Sequence, residues 1–278
     1  MINFQEIANT FNTSLQEEAD PWIKWHSNLK SWVDEAVYKV SRIIGAQQNK
    51  RLLDVATGTG DNVLLLSKIY PNCSFKASDI SSIYIEKAKE NSKSKAINSV
   101  EFSISDVHNL VYKNSCYDIV TCFFSFMYFK DVHLATQELL RVTKPKGKII
   151  ITTWTGDNIL FNTITKLLFN NDDKIAYPDA KNPNLFSDET KLLKIFNQNG
   201  LSNVTIERHP MHIKWHGSSK DFWTFFKESN SSVVKELNSL SILQRKEKEQ
   251  KILESILLYE SNDILSIPTS ILISTLTK

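Results

Sequence analysis

The chain has 278 residues, of which 41% are hydrophobic, and its 33 basic and 31 acidic residues leave a formal charge of +2. This near-balance gives no electrostatic reason to expect a nucleic acid or a membrane surface as partner, and the length suits one α/β domain with additions. The three cysteines are odd in number and show no C-x-x-C spacing, so neither disulfides nor a metal site is expected.

No apolar run reaches the length of a membrane span, and residues 1–6 lack the basic and apolar regions of a signal peptide. A cytoplasmic location is therefore expected. Residues 1–48 are predicted to be helical, because tryptophans and aliphatic residues recur at intervals of three and four from Trp22 to Val40. Gly45 is predicted to end this helix.

A short apolar strand, an acid and a glycine turn follow, in the sequence LLDVATGTG at 52–60. Glycines here let a ligand approach the backbone at a helix N-terminus. A dinucleotide-binding turn would carry a third glycine where this chain has Val63, and a P-loop would close on Lys and Ser or Thr rather than on Asp61 and Asn62. Because Asp61 would also repel a phosphate, the turn is expected to hold a ligand that places no phosphate there.

Three more strand-like segments are bordered by acids. Asp79 ends the strand 73–78, where a carboxylate can accept hydrogen bonds from two ribose hydroxyls. Asp106 follows the strand 100–104, and an apolar strand at 117–124 is also bordered by an acid. Each aspartate could instead cap a turn or a helix, but several of them in register behind a glycine turn favour one binding site.

Alternating strands and helices continue to residue 154, with a helix at 132–142, a turn at 144–147 and a strand at 148–154. This order predicts a parallel sheet with helices on both faces, and ligands bind beyond the carboxyl ends of such strands. The remaining predicted elements are a capped helix at 188–200, strands at 201–209 and 211–215 split by Pro210, two or three amphipathic helices within 218–259, and a strand at 269–274.

Taken together, these motifs resemble the class I S-adenosylmethionine-dependent methyltransferases, most closely their ubiquinone/menaquinone-biosynthesis-like small-molecule group. The resemblance lies in the glycine turn, with Ala56 where many members have glycine, and in the segments SDVHNL at 105–110 and RVTKPKG at 141–147. The strand and loop at 117–131 are also similar. The match covers residues 50–155 in register and extends more weakly over 185–216.

The resemblance implies a Rossmann-like, seven-stranded, mostly parallel α/β sheet whose last strand is antiparallel and lies beside the fifth. It implies a single domain over 1–278, with an N-terminal helical cap (1–48), a cofactor-binding core (49–154) and a substrate-side half (155–278). A helical insertion at about 218–260 would shape the substrate pocket. The tryptophans of the cap would pack against the domain, or Trp22 or Trp25 would also roof the pocket.

The resemblance further implies S-adenosylmethionine as cofactor and S-adenosylhomocysteine as product. The amino-acid end of the cofactor would be held by the Asp54 side chain and by the backbone of Ala56, Gly58 and Gly60.

The nucleoside end would be held further along the sheet. Asp79 would bind the ribose hydroxyls, and Ile80 would pack on the adenine. Asp106 would accept a hydrogen bond from the adenine amino group, beside the backbone of Val107. Phe123 would face the sulfonium or the methionine chain.

The expected chemistry is an in-line displacement at a methyl carbon, for which the protein mainly supplies alignment and exclusion of water. Histidines are the base candidates because they titrate near neutral pH, but a structural role fits each of them as well, and no catalytic residue is assigned. The histidines considered are His26, His108, His133, His212 and His216.

The acceptor is expected to be a small molecule. The Asn- or Asp-Pro-Pro-aromatic sequence of amino-methylating nucleic-acid enzymes is absent after the fourth strand, where the chain reads TCFF at 121–124. The aromatic loop at 123–129 favours a hydrophobic or planar acceptor if its side chains line the pocket, or else forms core. Two alternatives stay open: a binding protein of this fold without transferase activity, and a nicotinamide oxidoreductase, against which Val63 counts.

Overall fold

The structure is a computed structural model that describes residues 21–169 and 186–278. The part of the predicted N-terminal helix that falls on residues 1–20 lies outside the described residues. Helix α1 spans His26–Ile44 and ends at Gly45, as predicted. Gly45 has a φ of +70°, a conformation that glycine adopts without a steric penalty.

The other elements alternate between strand and helix in the first half. The strands are β1 (Arg51–Val55), β2 (Ser74–Asp79), β3 (Val100–Ile104), β4 (Tyr117–Phe123), β5 (Thr143–Trp154), β6 (Val204–His216), β7 (Glu260–Ser261) and β8 (Ile264–Thr277). The helices after α1 are α2 (Asp61–Ile69), α3 (Ser82–Ser94), α4 (Val132–Val142), α5 (Ile159–Phe169), α6 (Glu189–Gln198), α7 (Ser219–Glu228), α8 (Ser231–Ser239) and α9 (Ile242–Leu257), with a short 3-10 helix at Phe126–Tyr128.

The strands form a sheet in the order β3-β2-β1-β4-β5-β8-β6, with the two-residue β7 paired to β8. Neighbours from β3 through β5 are parallel, and β8 is antiparallel to β5 and to β6. The predicted α/β fold with a mostly parallel sheet and an antiparallel last strand is thereby confirmed. The loops after β1 to β4 consequently open at the same edge of the sheet.

Two predicted boundaries were wrong. The turn expected at 144–147 lies within β5, where the pairing with β4 jumps from Tyr117–Thr143 to Ile119–Lys148 and the extra residues form a bulge. Pro210 does not split a strand, since β6 is continuous through it and Pro210 stands opposite Ser270 of β8.

The position of Pro210 explains why the strand tolerates it. The carbonyl of Ser270 accepts a hydrogen bond from Thr155 N at 3.2 Å, so it points away from β6. In an antiparallel pair of strands, the backbone N–H and C=O groups of two facing residues either bond to each other or both point away from the partner strand. The nitrogen of Pro210 therefore faces the open edge of β6, the last strand in the sheet order, where no ladder hydrogen bond is lost.

Alternate residues of the central strands bury into two different cores. Leu52 of β1 packs in a cluster with α1, α2, α5, α7, α8 and α9. Leu53 and Val55 pack on the opposite face, in a cluster with α4 and α6. Burial on both faces is the expected environment of parallel strands between helical layers. β1 is therefore packed on both faces next to the loop that follows it.

The N-terminal helix and the inserted helices cover one face together. The ring centroid of Trp25 lies 5.4 Å from that of Trp215 on β6, and the Trp22 ring lies 5.2 Å from that of Phe225 on α7. Trp22 and Trp25 thus pack against the domain. That one of them also covers the ligand pocket stays a prediction. The predicted helices within 218–259 are present as α7, α8 and α9, between β6 and β7. Within the described ranges, no helix is long and apolar enough to cross a membrane.

Candidate cofactor site

The loops that follow the first four strands are hydrogen-bonded to one another at the carboxyl edge of the sheet. These bonds show that the predicted anchors share one location. The bonds join Thr57 N to Ser78 O at 3.0 Å, Ser105 N to Asp79 O at 2.9 Å, and Ser125 Oγ to Ala56 O at 3.3 Å.

The turn after β1 is a left-handed backbone segment. Ala56, Gly58 and Gly60 have φ values of +51°, +56° and +80°, and for alanine this conformation is sterically unfavourable by about 1 kcal/mol. A Cβ added to Gly58 would meet no atom within 4 Å, whereas one on Gly60 would lie 3.0 Å from Ala88 Cβ of α3. Gly58 therefore faces open space at the site, and Gly60 allows close helix packing.

The carboxylate of Asp79 fixes this turn from the neighbouring strand. Its Oδ2 accepts from Gly58 N at 2.9 Å, and its Oδ1 accepts from Ser81 N at 3.0 Å. Burial raises the pKa of Asp79, while these N–H donors act in the opposite direction. The residue that caps α3 is Ser81, so the alternative of Asp79 as the helix cap is wrong. Each carboxylate oxygen still has a lone pair that can accept from a ligand hydroxyl.

Asp54 is the most deeply buried acid of the site, with 1% of its surface exposed. It stands opposite Thr121 in the β1–β4 ladder, and Thr121 Oγ1 donates to Asp54 Oδ1 at 2.6 Å. Burial raises the pKa of Asp54 from 3.8 to about 7; the side chains of Thr121 and, to a smaller extent, Thr57 lower it by hydrogen bonding, and the charge of Asp79 raises it further. The second carboxylate oxygen, Oδ2, has no hydrogen-bond partner among the described residues.

Several buried polar atoms around this turn have no hydrogen-bond partner of regular geometry. An unpaired buried polar atom costs about 1–3 kcal/mol, so their grouping fits a site that a polar ligand completes. Thr57, Asn62, Ser78 and Thr121 were missed by the sequence reasoning; they are uncharged residues beside the predicted acids and glycines. Within the described residues, eight buried side-chain polar atoms have no hydrogen-bond partner of regular geometry, and four of them belong to this turn and the strand ends beside it: Asp54 Oδ2, Thr57 Oγ1, Asn62 Oδ1 and Ser78 Oγ.

Asp106 lies at the same edge but is more exposed, with 45% of its side chain accessible. Its Oδ1 accepts from His108 N at 2.9 Å and contacts His108 Nδ1 at 2.7 Å. His108 Nε2 in turn accepts from Asp131 N at 3.2 Å. Asp106 opens a turn closed by a bridge to Asn109 rather than a helix, so the helix-cap alternative is wrong here too.

The apolar residues predicted for the site differ in exposure. Ile80 is 39% exposed, as contact with a ligand ring would require, whereas Val107 and Phe123 are 7% and 4% exposed and pack in the cores. Contact of Phe123 with the cofactor stays a prediction. The next residue, Phe124, has a φ of +51°, and its ring stacks on Trp154 with centroids 4.4 Å apart.

A charge cluster that the sequence did not reveal ties the glycine turn to α1. Asp61 is 8% exposed and accepts hydrogen bonds from Thr59 Oγ1 at 2.8 Å and Lys95 Nζ at 2.6 Å. Its Oδ2 also contacts His26 Nε2. Burial alone would raise the pKa of Asp61, but His26 and Lys95 outweigh it and lower the pKa from 3.8 to about 2. Asp61 is therefore a charged structural link.

The other candidate histidines also have structural contacts. His216 Nε2 lies 2.6 Å from Ser31 Oγ, and His133 Nδ1 lies 3.0 Å from Asn199 Nδ2. His212 lines a groove of about 530 Å³ between α1 and β6 that includes none of the predicted cofactor residues. In the part of the chain that the structure describes, no group of three or more histidine, cysteine or acidic residues could hold a metal ion.

Comparison with known proteins agrees with this geometry. The profile of a family described as "Methyltransferase domain" matches residues 46–211. A demethylmenaquinone methyltransferase of Thermotoga maritima is 34% identical over 113 residues, which are 41% of this chain and 47% of that relative. One from Deinococcus radiodurans is 31% identical over 125 residues, covering 45% of this chain and 52% of that relative. The chain therefore spans about half the length of these curated relatives.

A solved structure shows that the fold is shared more widely. The YcgJ protein from Bacillus subtilis superposes with a TM-score of 0.58 at 16% identity, over 88% of this chain and 98% of that one. At this identity, the likeness concerns the fold.

Proposed function

The chain belongs to the Methyltransferase domain family, and we propose that it transfers a methyl group from S-adenosylmethionine to a small acceptor. The observation that carries this proposal is the buried Asp54 carboxylate, whose free oxygen lies among other unpartnered polar atoms beside the glycine turn. When bound, the cofactor supplies a methyl group already activated on a sulfonium. The protein residues supply binding, alignment and exclusion of water.

The charges of the site support this cofactor over a dinucleotide. Asp54 and Asp79 are buried close enough for the charge of one to raise the pKa of the other, and they would repel a phosphate. An ammonium group beside Asp54 would instead restore the ionised carboxylate. Asp79 accepts ribose hydroxyls, and Asp106 accepts the adenine amino group. The location of both residues at the carboxyl edge of the sheet and the family resemblance support these proposed roles.

The acceptor is hydrophobic or planar in this proposal. Phe124 and Trp154 stack where β4 and β5 end, at the edge that carries the cofactor residues. The relatives' names point the same way, since they specify demethylmenaquinone as what those proteins methylate. Methylation at oxygen, nitrogen or carbon is compatible with the site. The cytoplasmic location and the domain boundaries stay predictions.

Calorimetry with S-adenosylhomocysteine and with NAD tests the cofactor assignment. We expect S-adenosylhomocysteine to bind the wild-type protein and Asp54→Asn to weaken this binding. Asp34→Asn, a control on α1 in the groove that includes none of the predicted cofactor residues, should bind as the wild type does. Binding of NAD without S-adenosylhomocysteine would overturn the proposal. Methyl transfer from labelled S-adenosylmethionine is then measured on a panel of phenols and quinols. Tight cofactor binding with no turnover on the panel would favour the non-catalytic alternative.

A further inference from the structure

We propose that Thr121 positions the carboxylate of Asp54 for the ammonium group of the cofactor. This inference rests on the proposed function. Thr121 acts through Asp54 and is therefore a positioning residue rather than a catalytic one.

The geometry of the β1–β4 ladder places the two side chains against each other. Asp54 and Thr121 are direct register partners on parallel strands, and Thr121 is 2% exposed. Thr121 Oγ1 lies 2.6 Å from Asp54 Oδ1 and 3.5 Å from the carbonyl oxygen of Leu53. The hydroxyl proton therefore belongs to the shorter contact, with the carboxylate.

Within the described residues, this is the one side-chain hydrogen bond of regular geometry to Asp54, and it gives the carboxylate a defined orientation, while Thr57 bears on the same group more weakly. With Oδ1 held by Thr121, the other oxygen, Oδ2, stays without a partner. A buried oxygen with an open lone pair is a strong acceptor for a charged N–H donor, since such bonds are shorter and stronger than neutral ones. The hydroxyl thus selects which oxygen is presented to the ligand.

The same bond acts on the charge of Asp54. Burial raises the pKa of this acid to about 7, and Thr121 is the largest of the causes that lower it. Asp79, the other acid that bears on this group, raises the pKa of Asp54 by its charge. Without the hydroxyl, Asp54 would ionise at higher pH, so fewer molecules would carry the carboxylate that binds an ammonium at neutral pH.

The experiment compares Thr121→Val, which keeps the branched shape, with Thr121→Ser, which keeps the hydroxyl. S-adenosylhomocysteine is titrated calorimetrically into each protein from pH 6 to 8.5. We expect Thr121→Val to bind about tenfold to a hundredfold more weakly at pH 7, as for loss of a hydrogen bond to a charged group. The weakening should shrink toward pH 8.5, and Thr121→Ser should restore most of the affinity.

Thr136→Val is the matched control, since Thr136 is 1% exposed and its hydroxyl donates to a backbone carbonyl of α4. Thr136→Val should leave the dependence of S-adenosylhomocysteine affinity on pH the same as in the wild type. If the wild-type protein fails to bind S-adenosylhomocysteine, the proposed function fails. If the wild type binds and Thr121→Val shows the same affinity, or a loss equal at every pH, the positioning role is overturned.

Discussion

Replacement of Asp61 by asparagine tests the charge cluster between the glycine turn and the N-terminal helix. His26 and Lys95 lower the pKa of Asp61 from 3.8 to about 2. At about 1.4 kcal/mol per pKa unit, the charged form contributes about 2.5 kcal/mol to stability. Because the pKa is lowered on folding, this contribution is complete above pH 3.8 and disappears as the pH falls through 2. At pH 3 we expect about half of it to remain.

The assay is thermal unfolding of the two proteins at pH 7 and at pH 3. With about 2.1 cal/mol/K of unfolding entropy per residue, Asp61→Asn should lower the Tm by about 4 °C at pH 7. The control is Asp34→Asn, which breaks the i,i+4 pair of Asp34 with Lys30 on α1; the charged atoms lie 3.6 Å apart, and the side chains are 29% and 53% exposed. Pairs at this spacing on a helix contribute about 0.5 kcal/mol or less, so the Tm of Asp34→Asn should change by about 1 °C or less.

Two results would refute this reasoning. One is an unchanged Tm for Asp61→Asn at pH 7, which would mean that the buried ion pairs contribute nothing net. The other is an equal loss at pH 7 and pH 3, which would assign the effect to packing rather than to charge. A cycle with Lys95→Met checks the coupling directly, since non-additive losses are expected for residues in contact.

Three further changes are expected to have measurable effects. Asp79→Ala should weaken S-adenosylhomocysteine binding by about 1–3 kcal/mol in calorimetry, whereas replacement of the exposed Glu101 on β3 by alanine should leave the affinity unchanged. An Asp79→Ala protein that binds as tightly as the wild type would remove Asp79 from the site. Burial raises the pKa of Asp54 from 3.8 to about 7. The contribution of the protonated Asp54 carboxyl to the free energy of unfolding is therefore complete below pH 3.8 and is lost as the pH rises through 7. Asp54→Asn should therefore stabilise the ligand-free protein in urea unfolding by up to about 4 kcal/mol at pH 8.5 and less at pH 5, and a loss at pH 8.5 would contradict this. Gly60→Ala should lower the Tm more than Gly200→Ala does. Both glycines have a φ of +80°, but a Cβ added at Gly60 would lie 3.0 Å from the Ala88 side chain, whereas one added at Gly200 would meet no atom within 4 Å. Equal losses of Tm would mean that backbone strain accounts for the whole effect.

Local sequence patterns were sufficient to predict most of the helices and strands of the fold. Apolar runs that end in an acid or are bordered by one predicted β1, β2 and β4, and the glycine turn predicted the start of α2. The break expected at Pro210 was wrong because the sequence does not show that its nitrogen faces an open sheet edge. That information depends on the pairing of β6 with β8, some sixty residues later.

The residues of the candidate site that follow strands directly could be proposed from the sequence, whereas those whose partners are distant in the chain could not. Asp54, Asp79 and Asp106 could be proposed from spacing. Thr121 could not, since its role depends on the register between β1 and β4. The partners of Asp61 lie 35 and 34 residues away along the chain, His26 at the start of α1 and Lys95 directly after α3, and charge pairing over such separations has no periodic signal.

The position of β8 has a consequence for how the protein is made. β8, at residues 264–277, pairs with β5 on one side and with β6 on the other. During synthesis, the edges of β5 and β6 that face β8 therefore have unpaired backbone groups until residues 264–277 have been made. The helices α7 to α9 are made during this interval, before the strand that anchors β6 exists. Exposed strand edges are sites of misassociation. A nascent chain halted before residue 264 should therefore aggregate more readily than one halted after residue 277.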